Sequence, residues 1–204
     1  MQKIIVVKIG SSILITKRGK LDEFRIEHIA RQVLQLQAEG FGVVLVVSGA
    51  VASGFKFVSQ FENQNILRQA AAGIGQTILI STFQGVFASK KIQIAQILLT
   101  QESLKREDFK DLLEFYLRLN IVPIINENDV ISLNCFGGND LLASEIAFLV
   151  EAEKLLILST YDKSFFGVGG GETKKQALEF MKTRNIKASI LDGKKKDTIL
   201  EAML

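Results

Sequence analysis

The chain has 204 residues, of which 48% are apolar and 23% charged, and it carries a net charge of +3. That length suits one domain with a sizeable core, and so mild a charge gives no case for nucleic acid or a membrane surface as partner. With one cysteine, one histidine and no tryptophan, an internal disulfide is excluded and histidine-based catalysis nearly so.

The lone Cys135 fits a reducing cytoplasm. Chemistry must come from Lys, Asp, Asn, Ser and the backbone. The opening MQKIIVVKIGSS has too short an apolar run for a signal peptide or a spanning helix.

In chain order, Ile4–Val7 is a β-branched run that reads as a buried strand feeding the turn at Lys8-Ile9-Gly10. Glu23 to Glu39 spaces apolar residues at helical intervals and stops at Gly40. Val43–Val47 is a second strand, ending at Ser48-Gly49-Ala50. Ile66 to about Ala88 reads as a helix in which Gly73 and Gly75 allow close packing. Gln93–Leu99 is strand-like, Ser103–Leu119 helical, and Ile121–Ile125 a strand again. Asp140–Glu153 is a helix, Lys154–Leu158 a strand, Thr173–Arg184 a helix, Lys187–Leu191 a strand and Asp197–Met203 a last helix. Continuous apolar strands alternating with helices predict an α/β fold with a mainly parallel sheet covered on both faces. No repeat or linker divides the chain, so a single domain over 1–204 is expected.

The densest chemical signal is PIINENDVISLNCFGGND, Pro123 to Asp140, where an apolar strand breaks into Asn126, Glu127, Asn128 and Asp129. A second polar knot follows at Gly137-Gly138-Asn139-Asp140. Carboxamides and carboxylates are poor core material but good ligand material at the carboxyl ends of parallel strands. Amide oxygens and carboxylates can hold an ammonium, and amide N–H₂ groups a carboxylate. The competing reading makes Asn139-Asp140 an Asx turn that caps the helix behind it.

Three further turns read two ways. Lys8-Ile9-Gly10-Ser11-Ser12 is either a phosphate cradle with its own cation or a plain strand end with a surface lysine. Ser48-Gly49-Ala50 either admits a ligand to the backbone or is a simple tight turn. Gly167-Val168-Gly169-Gly170-Gly171-Glu172-Thr173-Lys174 either offers a helix N-terminus to phosphate or is a surface linker. His28, Cys135 and the run Lys194–Lys196 take ordinary structural or solvated readings.

These segments, together with VVSGAVASG at Val46–Gly54, AAAGIGQ at Ala70–Gln76 and QILLTQESLKRED at Gln96–Asp108, resemble the amino-acid kinase family, most closely its glutamate 5-kinases. The resemblance is colinear over almost the whole chain. It implies a three-layer αβα sandwich around a mainly parallel sheet, the acetylglutamate kinase-like fold. It also implies transfer of the ATP γ-phosphoryl group to the side-chain carboxylate of L-glutamate, the first step of proline biosynthesis.

Under that resemblance about 1–153 would hold glutamate and about 154–204, shortened, would hold the nucleotide. Lys8 and Lys174 would stabilise the transferring phosphoryl group, and Asp140 would hold both lysines. Ser48, Gly49, Asn126, Asp129 and Asn139 would bind glutamate. Gly10, Ser11, Ser159, Thr160, Gly167, Gly169, Gly170, Thr173 and Lys174 would line the nucleotide and phosphate path. ATP with Mg²⁺, no dedicated metal ligands in the chain, a cytoplasmic homo-oligomer (dimer or tetramer), feedback by proline and the absence of a C-terminal PUA-type module complete the expectation.

The departures from the pattern are Gly138 where an Asp is common, Thr160 in place of an Asp after the fifth strand, and a short Ser159–Gly171 stretch. A second reading keeps the fold and the glutamate site but makes the chain a sensor of glutamate or proline. A third keeps the kinase chemistry with another acceptor.

Overall fold

The computed structural model describes residues 2–58, 62–160 and 171–203. Six parallel strands form one sheet in the order β3-β4-β2-β1-β5-β6. They are β1 (Ile4–Ile9), β2 (Gly42–Val47), β3 (Ile94–Leu99), β4 (Val122–Glu127), β5 (Lys154–Ser159) and β6 (Lys187–Asp192). β1 lies at the centre, in register with β2 on one side (Lys8 beside Val46) and β5 on the other (Lys8 beside Ile157). The chain leaves β1 toward β2 and later returns to its other flank as β5, which opens a crevice at the carboxyl ends of these strands.

Strand parity divides the core. Ile5, Val7, Ile9, Val43, Leu45, Val47, Val122, Ile124, Leu156 and Leu158 face one helical layer. It comprises α1 (Ser11–Leu14), α2 (Glu23–Ala38), α4 (Gln64–Ser89) and α9 (Thr198–Glu201). Val6, Val44, Val46, Ile125, Leu155 and Ile157 face the other, made of α6 (Phe109–Arg118), α7 (Asn139–Leu149) and α8 (Gly171–Thr183). By the same alternation Lys8 and Glu127 point to the α6–α8 side and Asn126 to the α4 side.

The expected α/β sandwich is therefore present, with several boundaries moved. Two short helices went unforeseen: α1, and α3 (Ala50–Gly54) after Gly49, whose φ of +108° suits glycine. α3 is interlocked with α4. A Cβ at Gly54 would lie 1.9 Å from the Ala71 carbonyl oxygen, and one at Gly75 would lie 1.7 Å from that of Ala50. Gly75 thus carries the close approach predicted for α4; Gly73 has ordinary room.

The helix expected over Ser103–Leu119 is two helices, α5 (Gln101–Leu104) and α6. A reciprocal Thr100–Ser103 capping box starts the first, and the charged run Lys105–Asp108 separates it from the second. α7 stops at Leu149 rather than running to Glu153, because Glu151 turns left-handed and the Ala152 N–H bonds back to the Ala147 carbonyl. α4 satisfies membrane-span criteria of length and composition. Its Leu79, Phe83 and Phe87, however, are fully buried against the sheet.

Candidate active site

The polar residues at the carboxyl ends of the central strands form two joined clusters. The first is ionic. Lys8, on β1, is 5% exposed, and its ammonium lies 2.6 Å from Asp140 Oδ1. Lys174, in the first turn of α8, reaches Asp140 Oδ2 at 2.9 Å, and the Thr173 hydroxyl donates to the same oxygen at 3.1 Å. Asp140, 2% exposed, thereby gathers two cations and a hydroxyl from two other elements.

Burial pulls the Lys8 ammonium below the ordinary lysine range, against the attraction of Asp140, and Lys174 adds to the lowering. Burial pushes the Asp140 carboxyl up, but the two lysines more than reverse that and leave it below the usual carboxylate value. Gly10 follows the end of β1: a Cβ there would sit 3.7 Å from the Lys8 nitrogen and 3.2 Å from the Leu158 carbonyl oxygen. A bare glycine leaves the cation approachable from the strand end.

The second cluster is an amide network. Asn139 Nδ2 donates to Ser48 Oγ at 3.1 Å and to Asn126 Oδ1 at 3.0 Å, and Asn126 Nδ2 donates to Gln76 Oε1 at 2.9 Å. Asn139 and Asp140 are consecutive in the first turn of α7, so one helix end joins the amides to the ions. The capping reading is corrected here. The N-cap of α7 is Gly138, at φ +124° and ψ 155°, and neither Asn139 nor Asp140 closes the helix. That backbone region is essentially reserved for glycine, which gives position 138 a conformational reason to be glycine.

The other expected residues are placed less centrally. Asp129 lies just beyond β4 and accepts from the Asn134 N–H at 3.0 Å. Burial raises its carboxyl above the usual range, with Arg68 pulling the other way. Ser11 opens α1, Ser159 ends β5, and Thr160 follows it. Gly167, Gly169 and Gly170 lie outside the described residues. Cys135 donates weakly to the Leu99 carbonyl, and burial pushes its thiol up, so its ordinary reading stands. His28 packs edge-on to Phe24 at 4.4 Å.

Two residues of this region were not among the expected site residues. Gln76 interrupts the otherwise apolar stripe Ala72, Leu79, Phe83, Phe87 on the buried face of α4; a polar side chain in such a stripe is the signal that could have found it. Glu127 is 4% exposed, with Oε2 accepting the Phe136 N–H at 3.3 Å. Burial first, and Asp129 in addition, raise its carboxyl. Among the described residues no group of His, Cys, Asp and Glu is arranged to hold a metal ion. A cavity of about 400 Å³ lies at the opposite end of the sheet, between Lys3, Lys110, Leu117 and Glu151, and does not border these clusters.

Residues 3–193 match the amino acid kinase family. The chain belongs to that family. Among family members, the glutamate 5-kinase of Clostridium acetobutylicum is 31% identical, covering 96% of this chain and 88% of its own length. That of Thermus thermophilus is 42% identical over 78% of this chain, and glutamate 5-kinase 2 of Bacillus licheniformis 36% over 79%. The chain spans about half the length of these last two relatives, 45% in each case. The amino acid kinase fold is equally plain in solved structures. The UMP kinase of Ureaplasma parvum superposes with a TM-score of 0.67 over 100% of this chain and 95% of its own, at 15% identity. An isopentenyl phosphate kinase gives 0.67 over 98% of this chain and 95% of its own, also at 15%.

Proposed function

We propose that this chain phosphorylates the side-chain carboxylate of L-glutamate with ATP, yielding L-glutamyl 5-phosphate. The observation that carries the reading is the ionic cluster, two lysines on one buried carboxylate, set beside a network of amides at the crevice. Phosphoryl transfer asks for positioning and charge neutralisation rather than a strong base. Lys8 and Lys174 supply positive charge from opposite sides, and Asp140 fixes the distance between them. A carboxylate acceptor and a triphosphate donor are both anionic, and both gain from that pair.

Asn139, Asn126 and Ser48 present amide and hydroxyl groups for the amino-acid end of the substrate, and Asp129 a carboxylate for its ammonium. Gly10 and Ser11 border the phosphate path; Ser159, Thr160, Thr173 and the glycines at 167, 169 and 170 belong to the nucleotide side. Mg²⁺ fits as a passenger on the nucleotide phosphates, since the described residues offer no cage of their own and Mg²⁺ binds with few protein ligands. Bound there, it neutralises phosphate charge. The names of the relatives support glutamate as acceptor. A soluble cytoplasmic homo-oligomer sensitive to proline completes the proposal.

The test is ADP release by the mass-verified protein with Mg-ATP, with and without L-glutamate. Glutamate-dependent release is expected. Binding of glutamate without turnover would replace the kinase by a sensor, and turnover only with another carboxylate or phosphate acceptor would move the specificity.

A further inference from the structure

The amide network has a direction, and one backbone group sets it. The N–H of Glu127 donates to Asn126 at 2.9 Å. An amide N–H can only donate, so the side-chain atom it meets is the Asn126 oxygen, and the remaining Asn126 atom is the nitrogen. That nitrogen faces Gln76, which must therefore present its oxygen. Asn139, bonded to the same Asn126 oxygen, must present its nitrogen. No flip of one amide is possible without breaking its neighbour's bond.

The consequence is a network with two loose ends of opposite kind. Asn139 Oδ1 is a buried acceptor without a donor, and Gln76 Nε2 is a buried donor without an acceptor. Gln76 is 7% exposed, so water does not freely satisfy it. A buried unpaired donor carries an uncompensated desolvation cost, which a ligand recovers by supplying the missing acceptor. The order of the network also matters. Asn139 adjoins Asp140 and the two lysines, Asn126 comes next, and Gln76 lies at the end away from the ionic cluster.

We propose that Gln76 is a specificity-determining residue of this site, its Nε2 donating to the α-carboxylate of the amino-acid substrate while Asn139 Oδ1 and Asp129 take the α-ammonium. This rests on the proposed function, which puts the reacting side-chain carboxylate at the lysines and leaves the α-carbon end toward Gln76. The network then selects a zwitterion in one orientation: acceptor at Gln76, donor at Asn139.

The experiment compares L-glutamate with its α-amide, isoglutamine, as acceptors for the full chain and for Gln76→Glu. The substitution is nearly isosteric. It keeps the oxygen that Asn126 needs and turns the free donor into an acceptor. The wild type should prefer glutamate. In Gln76→Glu the ratio of kcat/KM for glutamate over isoglutamine should fall at least about 10-fold, because the α-amide now supplies the donor. A residue that merely supports the fold would lower both values alike, and a ratio unmoved within about twofold overturns the assignment. If Gln76→Glu does not fold, Gln76→Met removes the donor at similar volume and should also reduce the ratio; an unchanged ratio there has the same meaning. A wild type that turns over neither compound overturns the proposed function and this assignment together, whereas normal glutamate turnover with an unmoved ratio overturns the assignment alone.

Discussion

α7 and α8 deliver opposite charges to the same point, and they are held there differently. α7 buries Leu142, Ala143, Ser144, Ile146 and Ala147, and its first turn is bonded to Ser48 and Asn126. α8 buries Ala177 and Met181, and flanks β6, a strand at the edge of the sheet whose residues are all at least partly exposed. Asp140 is thus fixed by the core. Lys174 and Thr173 are drawn to it at the end of a lightly buried helix. The contrast sets a helix anchored deep in the core against one held by shallower packing, with the ion pair between them.

The hardest blow to that arrangement is Asp140→Asn. It strands Lys8 as a buried charge and releases Lys174, so stability should drop by about 3–5 kcal/mol, the usual cost of removing one partner of a buried pair. Calorimetry should show a Tm lower by about 10 °C, at about 2–4 °C per kcal/mol for a chain of this size. Glutamate-dependent ADP release should vanish. A variant with unchanged Tm would mean that Asp140 is not the hub.

Under the proposed function, Lys8→Ala and Lys174→Ala should each reduce kcat by about 10² or more, since each would remove a charge that stabilises the transferring group. Their Tm values should differ. Loss of Lys8, on the central strand with its side chain 7% exposed, strips Asp140 Oδ1 of its cation in the core, while loss of Lys174, at 16% on α8, should be the milder one. Equal thermal effects would erase the distinction drawn between the two helices.

Asp129→Asn keeps an acceptor for the Asn134 N–H and deletes the charge. The KM for glutamate should rise about 10-fold, the scale of one lost charged hydrogen bond. Because burial raises this carboxyl, wild-type affinity should begin to fall at a higher pH than an ordinary aspartate would give, as protonation removes the charge proposed to meet the ammonium. That acid limb should be missing from the variant. An identical pH profile of KM in both proteins would remove Asp129 from the ammonium site.

Most of the architecture was legible because strands buried on both faces contain continuous apolar stretches, as β1, β2, β4 and β5 all do. The ionic centre was legible only through resemblance: Lys8 looks like a surface lysine until strand parity turns it under α7. Asn126 and Glu127 were read as lying beyond the strand, since a polar pair at its end breaks the apolar pattern, yet β4 carries both. The two helices of the Lys105–Asp108 region were merged because a four-residue helix leaves no periodicity to see. Gln76 stayed hidden among apolar neighbours whose spacing already explained the helix.

Glu127→Gln gives the smallest effect and divides the carboxyl end of β4 most finely. Glu127 and Asn126 are neighbours on β4, but Asn126 faces the amides while Glu127 faces Cys135 and Phe136. Burial raises the folded-state pKa of Glu127 above its unfolded value, so the folded chain takes up its proton more readily. Ionised Glu127 therefore costs stability above the folded pKa, and that cost disappears as pH falls below the unfolded value of about 4.3. Glutamine retains an oxygen for the Phe136 N–H and has no ionisation to oppose. The variant should match the wild-type Tm near pH 4, exceed it as pH rises through the raised folded-state pKa, and hold a constant advantage above that in a melting series. A lower Tm for the variant at neutral pH would show instead that the carboxylate is held in its charged form, and that the loop from Asp129 to Gly138 depends on that charge.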